Sequence, residues 1–91
     1  MIESKLRTKV MNSLKRWPGV WVYKASDRYT SGVPDIIGCR QGKMFAIELK
    51  AEHGRVSKIQ EWTMHELKRA GAAVAVIRSM DEFYDFFAGV V

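Results

Sequence analysis

The scarcity of certain residues and patterns in this sequence excludes several classes of protein. Cys39 is the only cysteine among 91 residues. The chain therefore cannot form an internal disulfide, and such a protein is expected in a reducing compartment. No apolar stretch approaches the ~20 residues of a membrane span. The N-terminal MIESKLRTKV also lacks the apolar core of a secretion signal. These absences predict a soluble, cytoplasmic protein with no membrane partner.

Acidic residues are also scarce relative to basic ones. Ten Asp and Glu stand against fifteen Lys and Arg, for a formal net charge of +5 at pH 7. This excess favours a polyanionic partner, with nucleic acid first and an anionic membrane second. The sequence is 47% hydrophobic and 27% charged, which argues against disorder. The length and the lack of any linker or repeat predict one domain over residues 1–91.

The hydrophobic pattern predicts seven structural elements. Ile2, Leu6, Val10 and Leu14 recur at four-residue steps, which predicts a helix over 3–16. Strands are predicted over 20–25, 35–40, 43–50 and 72–78, and further helices over 58–70 and from 81 onward. The Gln41-Gly42 pair is typical of a hairpin turn between the second and third strands. The order α-β-β-β-α-β-α predicts an α/β or α+β fold around a mixed central sheet.

Apolar side chains of the two later helices are predicted to face inward. In the second helix these are Ile59, Trp62, Leu67 and Ala70, and in the last they are Phe83, Phe86 and Phe87. Trp62 at this spacing is interpreted as a core residue rather than a platform for stacking bases. The Phe-rich helix is predicted to be core, or a dimer interface if an apolar face stays exposed.

Three charged residues stand in the apolar strands of the predicted hairpin. In KMFAIELK, alternation puts Phe45, Ile47 and Leu49 on one face and Glu48 and Lys50 on the other. Glu48 and Lys50 then project side by side, ~7 Å apart along the strand. Counting outward from the turn places Asp35 opposite Glu48, within ~5 Å. The register therefore brings two carboxylates and an ammonium together.

This group of charges has a chemical use. Two facing carboxylates suit a hard divalent cation such as Mg²⁺, which lowers the pKa of a bound water and neutralises charge on a phosphate. A nearby Lys can orient the attacking water or stabilise the transition state. Taken separately, Asp35 could close a turn after Pro34, and Glu48 with Lys50 could be a solvated ion pair. Together they indicate a phosphodiesterase.

The sequence around these residues resembles that of a known nuclease family. Pro34-Asp35, followed after twelve residues by Glu48-Leu49-Lys50, resembles the PD-(D/E)xK nuclease motif. The longer segments are SGVPDIIG at 31–38, FAIELK at 45–50 and GRVS at 54–57, followed by Gln60, Trp62 and AGA at 70–72. They are similar to the VRR-NUC domain, the virus-type replication-repair nuclease module. The chain resembles the minimal, stand-alone form found in phages and bacteria.

The resemblance implies a restriction-endonuclease-like core and a specific chemistry. It implies that Asp35 and Glu48 ligate Mg²⁺ or Mn²⁺ with the Leu49 carbonyl, while Lys50 serves the attacking water. The products would carry 5′-phosphate and 3′-hydroxyl ends. Stand-alone members are similar to Holliday-junction resolvases, which implies a homodimer acting on branched DNA in a bacterial or phage-infected cell.

Two further residues each have two interpretations. Glu3 could reach the metal site from the first helix, as a carboxylate does in many PD-(D/E)xK enzymes, or could interact favourably with the helix dipole. Gln60 could stand beside the active-site Lys, as the resemblance implies. It could also complete a capping box with Ser57. The site interpretation is favoured for Gln60.

The remaining polar residues divide into candidate DNA contacts and residues without a predicted ligand. The candidate contacts are Lys24, Arg28, Ser31, Arg55 and Lys58, which flank the site in sequence and would hold the DNA backbone. Lys5, Lys9 and Arg16 are predicted to form a solvated helix face, and Arg40 is left undecided. His53 and His65 have no Cys or His partners at the spacing of a zinc site. Cys39, in an apolar strand, is interpreted as a packing residue rather than a nucleophile. No nucleotide cofactor is predicted, because the Ser31-Gly32 step lacks the rest of a phosphate-loop pattern.

Three functions are compatible with the sequence. The first is a metal-dependent, structure-selective DNA endonuclease. The second is a non-catalytic basic DNA-binding or accessory module derived from the same fold. The third is a small dimeric scaffold without a ligand, which leaves the carboxylate pair unexplained. The intact Asp35, Glu48 and Lys50 favour the first.

Overall fold

A computed structural model describes residues 2–25 and 32–90. The helices are α1 (Glu3–Arg16), α2 (Lys58–Arg69) and α3 (Met80–Ala88). The strands are β1 (Val20–Lys24), β2 (Ile36–Arg40), β3 (Lys43–Leu49) and β4 (Ala73–Ile77). The predicted order of elements is confirmed. Within the described ranges, no helix combines the length and the apolar character needed to cross a membrane.

The four strands form one mixed sheet in the order β1-β2-β3-β4. The first three strands are antiparallel, and β4 runs parallel to β3 after the α2 crossover. Gln41 and Gly42 both have positive φ, 48° and 86°, as a two-residue hairpin turn of type I′ requires. Ile36 pairs with Ile47 across this hairpin. The same register sets Asp35, one position before β2, opposite Glu48.

The hydrophobic core lies on one face of the sheet, beneath α1 and α3. Phe45, Ile47 and Leu49 on β3 have no solvent exposure, as their alternation predicts. The helices contribute Leu6, Val10, Leu14, Phe83 and Phe87 to the same cluster. Ile2 is a correction, because its side chain is 63% exposed. It precedes α1 with an extended backbone and so does not follow the helical periodicity.

Helix α2 packs along β4, and its inward face is not the one that the sequence pattern predicts. Met64 is its buried residue, whereas Ile59 and Ala70 are exposed and Trp62 is 63% exposed. The prediction of Trp62 as a core residue is therefore wrong. Gln60 lies on the inward side, where its amide reaches Glu48, and this rotation turns Trp62 outward.

The sheet face opposite the core carries exposed aromatic side chains on β1. Trp21 and Tyr23 alternate with Val20 and Val22, which pack toward the core. Their rings stack at 6.2 Å between centroids and 4° between planes. In α3, Phe83 and Phe87 are buried and Phe86 is partly buried against the core. The phenylalanines of this helix are therefore core residues, whereas large exposed apolar side chains lie on β1, on α2 and at Tyr84 of α3.

Arg40, which sequence reasoning left undecided, ties the end of β2 to α3. Its Nη1 donates to the Phe87 carbonyl oxygen at 2.9 Å. Its Cζ lies 4.8 Å from the Trp17 ring centroid and 4.9 Å from that of Phe87. This partly buried residue therefore has a structural role.

We expect Arg40→Met to lower the free energy of unfolding by about 2 kcal/mol, because the variant keeps the aliphatic stem but loses a charged donor and two cation–π contacts. Urea denaturation followed by circular dichroism measures the change. Arg69→Met is the control, since its ion pair with Glu66 is largely exposed and worth under about 1 kcal/mol. Equal effects of the two variants would contradict the structural role of Arg40.

Candidate active site

Asp35 is fixed at the point where β2 begins. Its backbone carbonyl accepts a hydrogen bond from the Ala25 amide at 2.8 Å, which joins it to the end of β1. Its side-chain Oδ2 accepts from the Leu49 amide at 2.7 Å. The carboxylate is thus held against β3 beside Glu48. Its second oxygen, Oδ1, is left for other partners.

Glu48 is the one charged residue that is buried among the described residues, with 3% of its surface exposed. Burial, and then the neighbouring Asp35 carboxylate, raise the pKa of Glu48 from 4.5 to about 8. The positive charge of Lys50 lowers the pKa of Glu48 by a smaller amount, and the negative charge of Glu3 raises it slightly. The folded chain therefore holds two carboxylates close together at a cost in electrostatic energy.

Lys50 and Gln60 contact the same oxygen of Glu48. Lys50 Nζ lies 4.0 Å from Glu48 Oε1, which confirms the predicted side-by-side projection. Gln60 Nε2 donates to that oxygen at 3.2 Å. At its other end, Gln60 Oε1 accepts from the Ser57 amide at 2.9 Å and completes a capping box. The structure thus contains the cap suggested for Gln60 and a second contact, which joins Gln60 to Glu48 rather than to Lys50.

The donor set fits a hard divalent cation. Glu48 Oε2 is buried and has no hydrogen-bond partner within the described residues. Two ionised carboxylates cannot donate to each other, so this oxygen needs a proton or a cation. No group of three or more His, Cys, Asp or Glu side chains occurs at ligand spacing in residues 2–25 and 32–90. A metal held here would therefore complete its shell with backbone oxygen and water, as Mg²⁺ commonly does.

Comparison with known proteins identifies the family. The model of the VRR-NUC domain matches residues 3–81, most of the chain. The chain belongs to the VRR-NUC family. A solved structure named VRR_NUC domain aligns with a TM-score of 0.80 and 21% identity, covering 96% of this chain and 95% of that one. At this identity the likeness shows a shared fold. Among curated proteins, no sequence matches this one.

The VRR-NUC assignment supports a nuclease function acting on DNA, and the structure shows a charged neighbour that sequence reasoning missed. Arg7 on α1 donates from Nη2 to Asp35 Oδ1 at 3.4 Å. The same nitrogen lies 4.0 Å from Glu3, which places Glu3 at the rim of the site. Arg7 follows Glu3 by one helical turn, and that i,i+4 spacing is the signal by which it could have been found.

The described candidate DNA contacts of this VRR-NUC chain lie at the end of β1 and near the start of α2. Lys24 faces α1 across a groove. Arg55 and Lys58 are exposed near the start of α2, on the chain that follows Lys50. Arg28 and Ser31 lie outside the described residues. Their roles, like those of Lys24, Arg55 and Lys58, stay predictions.

Proposed function

We propose that this VRR-NUC chain is a metal-dependent, structure-selective DNA endonuclease of the cytoplasm, which cleaves four-way junctions as a homodimer. Its products would carry 5′-phosphate and 3′-hydroxyl ends. The observation that supports this most is the pair Asp35 and Glu48, held side by side with an unpartnered buried oxygen and with Lys50 alongside. A DNA-binding module that does not cleave has no need of this costly arrangement.

The residues that would hold the metal are Asp35, Glu48 and the Leu49 carbonyl. Bound Mg²⁺ or Mn²⁺ would supply neutralisation of the phosphate charge and a water of lowered pKa. Lys50 would orient the attacking water and stabilise the additional negative charge on the phosphate. Gln60 fixes the rotamer of Glu48 through the bond to Oε1. Glu3 is proposed as an outer carboxylate of the same site.

The homodimer follows from the number of sites that junction cleavage needs. Residues 2–25 and 32–90 of each chain contain one such carboxylate pair, whereas paired cuts in a four-way junction need two.

We expect the protein to cut a labelled four-way junction with paired, symmetric incisions in Mn²⁺ or Mg²⁺, and not in EDTA. A linear duplex and a flap serve as comparison substrates, and DNA ligase should reseal the incisions because their ends are 5′-phosphate and 3′-hydroxyl. Sedimentation should give the mass of two chains. Cuts in all substrates would contradict the junction preference. Failure of the folded protein to cut, together with tight junction binding, would favour a non-catalytic binding module.

A further inference from the structure

A polar groove runs along α1 on the side that faces β1. Its volume is about 320 Å³, and its polar lining residues are Ser4, Arg7, Thr8, Asn12, Lys15 and Lys24. The remaining lining residue, Met11, packs against the hydrophobic core. Three of these side chains are cationic and none is acidic. The groove therefore suits an anionic ligand.

The lining residues follow one side of the helix. Ser4, Thr8, Asn12 and Lys15 succeed one another by three or four positions, which places them in a row along α1. From Ser4 to Lys15 the row extends ~17 Å. Duplex DNA rises about 3.4 Å per nucleotide along its axis, and the phosphates of one strand lie farther apart than this because the strand winds around the axis. The row therefore spans at most about five nucleotides. The groove is thus long enough for an extended polyanion.

Arg7 connects the groove to the carboxylates. Arg7 is one of the lining residues, and its Nη2 lies 3.4 Å from Asp35 Oδ1. A phosphate chain lying in the groove would therefore pass directly to the place where Asp35 and Glu48 meet. Hydroxyl, amide and cationic groups without an enclosed apolar wall are typical of backbone contacts, which position a nucleic acid without reading its sequence.

A second groove on the same helix offers a contrast. It lies between α1 and α3, measures about 290 Å³ and includes Lys9 and Arg16. It has two cationic lining residues, compared with three in the first groove. None of its lining residues hydrogen-bonds or forms an ion pair with Asp35 or Glu48. Basic charge is thus present on both sides of α1, and continuity with the carboxylates distinguishes the side facing β1.

We propose that the groove between α1 and β1 binds the sugar–phosphate backbone of the DNA strand adjoining the scissile phosphate. Lys15 and Lys24 contact phosphates along the groove. Arg7 contacts the phosphate nearest the carboxylates. This inference rests on the proposed nuclease function and adds to it the path of the strand across the protein.

The test compares Lys15→Gln/Lys24→Gln with the matched control Lys9→Gln/Arg16→Gln, which removes two positive charges from the other side of the same helix. All four residues are exposed, so both variants should fold, as circular dichroism will show. Binding to a fluorescein-labelled four-way junction is measured by fluorescence anisotropy in EDTA over a series of KCl concentrations. The slope of log K against log salt is negative, and each lost phosphate contact should reduce its magnitude by about 0.9.

We expect the groove variant to lose roughly 50-fold in affinity at 0.1 M KCl, with a salt dependence whose slope is shallower by about 1.8. The control should lose less than about fivefold, because distant charges are screened. If the two variants lost affinity equally while the unaltered protein still bound and cut the junction, the proposal that this groove binds DNA would be wrong. The proposed nuclease function would be unaffected. An unaltered protein that neither binds nor cuts DNA would overturn both.

Discussion

Glu48→Gln should cut DNA at least about 10³-fold more slowly than the unaltered protein, and yet be more stable at alkaline pH. The amide keeps the size of the side chain but removes a carboxylate that we propose ligates the metal. Several kcal/mol of transition-state stabilisation depend on that metal, and each 1.36 kcal/mol corresponds to a factor of ten. Initial rates of junction cleavage in Mn²⁺ measure the loss. Glu52→Gln, on the exposed loop after β3, should cut normally.

The gain in stability follows from the raised pKa of Glu48. The pKa of this carboxyl is about 8 in the folded chain and near 4.5 when unfolded. Between these values the folded state binds a proton that the unfolded state releases, so stability falls as the pH rises from 4.5 to 8. Glutamine has no such penalty. Without metal, we expect Glu48→Gln to gain about 2 kcal/mol or more at pH 8.5 and little at pH 4.5.

Urea denaturation in EDTA at both pH values measures this difference. At each pH, the free energy of unfolding of the unaltered protein is subtracted from that of the variant. The subtraction removes the contribution of all other titrating groups and leaves that of Glu48. A Glu48→Gln variant that is less stable than the unaltered protein at pH 8.5 would show that the carboxylate pair carries no electrostatic cost. Undiminished cleavage would show that Glu48 is not a metal ligand.

Gly38→Ala should prevent stable folding. Gly38 lies in the middle of β2 and is buried. A Cβ atom added there would lie 2.6 Å from the backbone oxygen of Trp21 and 2.8 Å from Cε1 of the Phe45 ring, with Cζ of that ring also in contact. Neither neighbour can withdraw, because Trp21 is paired in β1 and Phe45 is fully buried in the core.

We expect this substitution to cost about 3 kcal/mol or more, a large part of the stability of a domain of this size. Thermal and urea denaturation measure it. Gly89→Ala is the control, because the nearest atom to its added Cβ is 3.7 Å away and its φ of −93° suits alanine. A Gly38→Ala protein with the melting temperature of the control would mean that β1 and β3 are not packed against Gly38 as described.

The sequence was sufficient to predict the features that depend on short-range pattern. The hairpin could be counted from Gln41-Gly42, since the two-residue turn fixes which residues face each other. Asp35 and Glu48 were therefore placed opposite each other without knowledge of the remaining fold. The alternation of β3 likewise predicted which of its residues enter the core.

The features that sequence reasoning missed depend on how separate elements pack. Trp62 stands at a core-like spacing, but the rotation of α2 is set by Gln60 reaching Glu48, a contact between elements. Arg7 belongs to the site only because α1 crosses the sheet near the start of β2. The periodicity of α2 does not encode its rotation. The i,i+4 spacing indicates that Glu3 and Arg7 pair on α1, but not that Arg7 reaches Asp35. Both arrangements follow from tertiary packing.

The hairpin also restricts how this site can vary among related chains. Five residues of each arm and the two residues of the turn separate Asp35 from Glu48. The arms can lengthen only together if the two acids are to remain opposite, so chains with this turn should separate their acids by an even number of residues. A single insertion would carry one acid to the core face of the sheet unless a bulge or a three-residue turn absorbed it. Parity of spacing is therefore a criterion for recognising working members of the family from sequence.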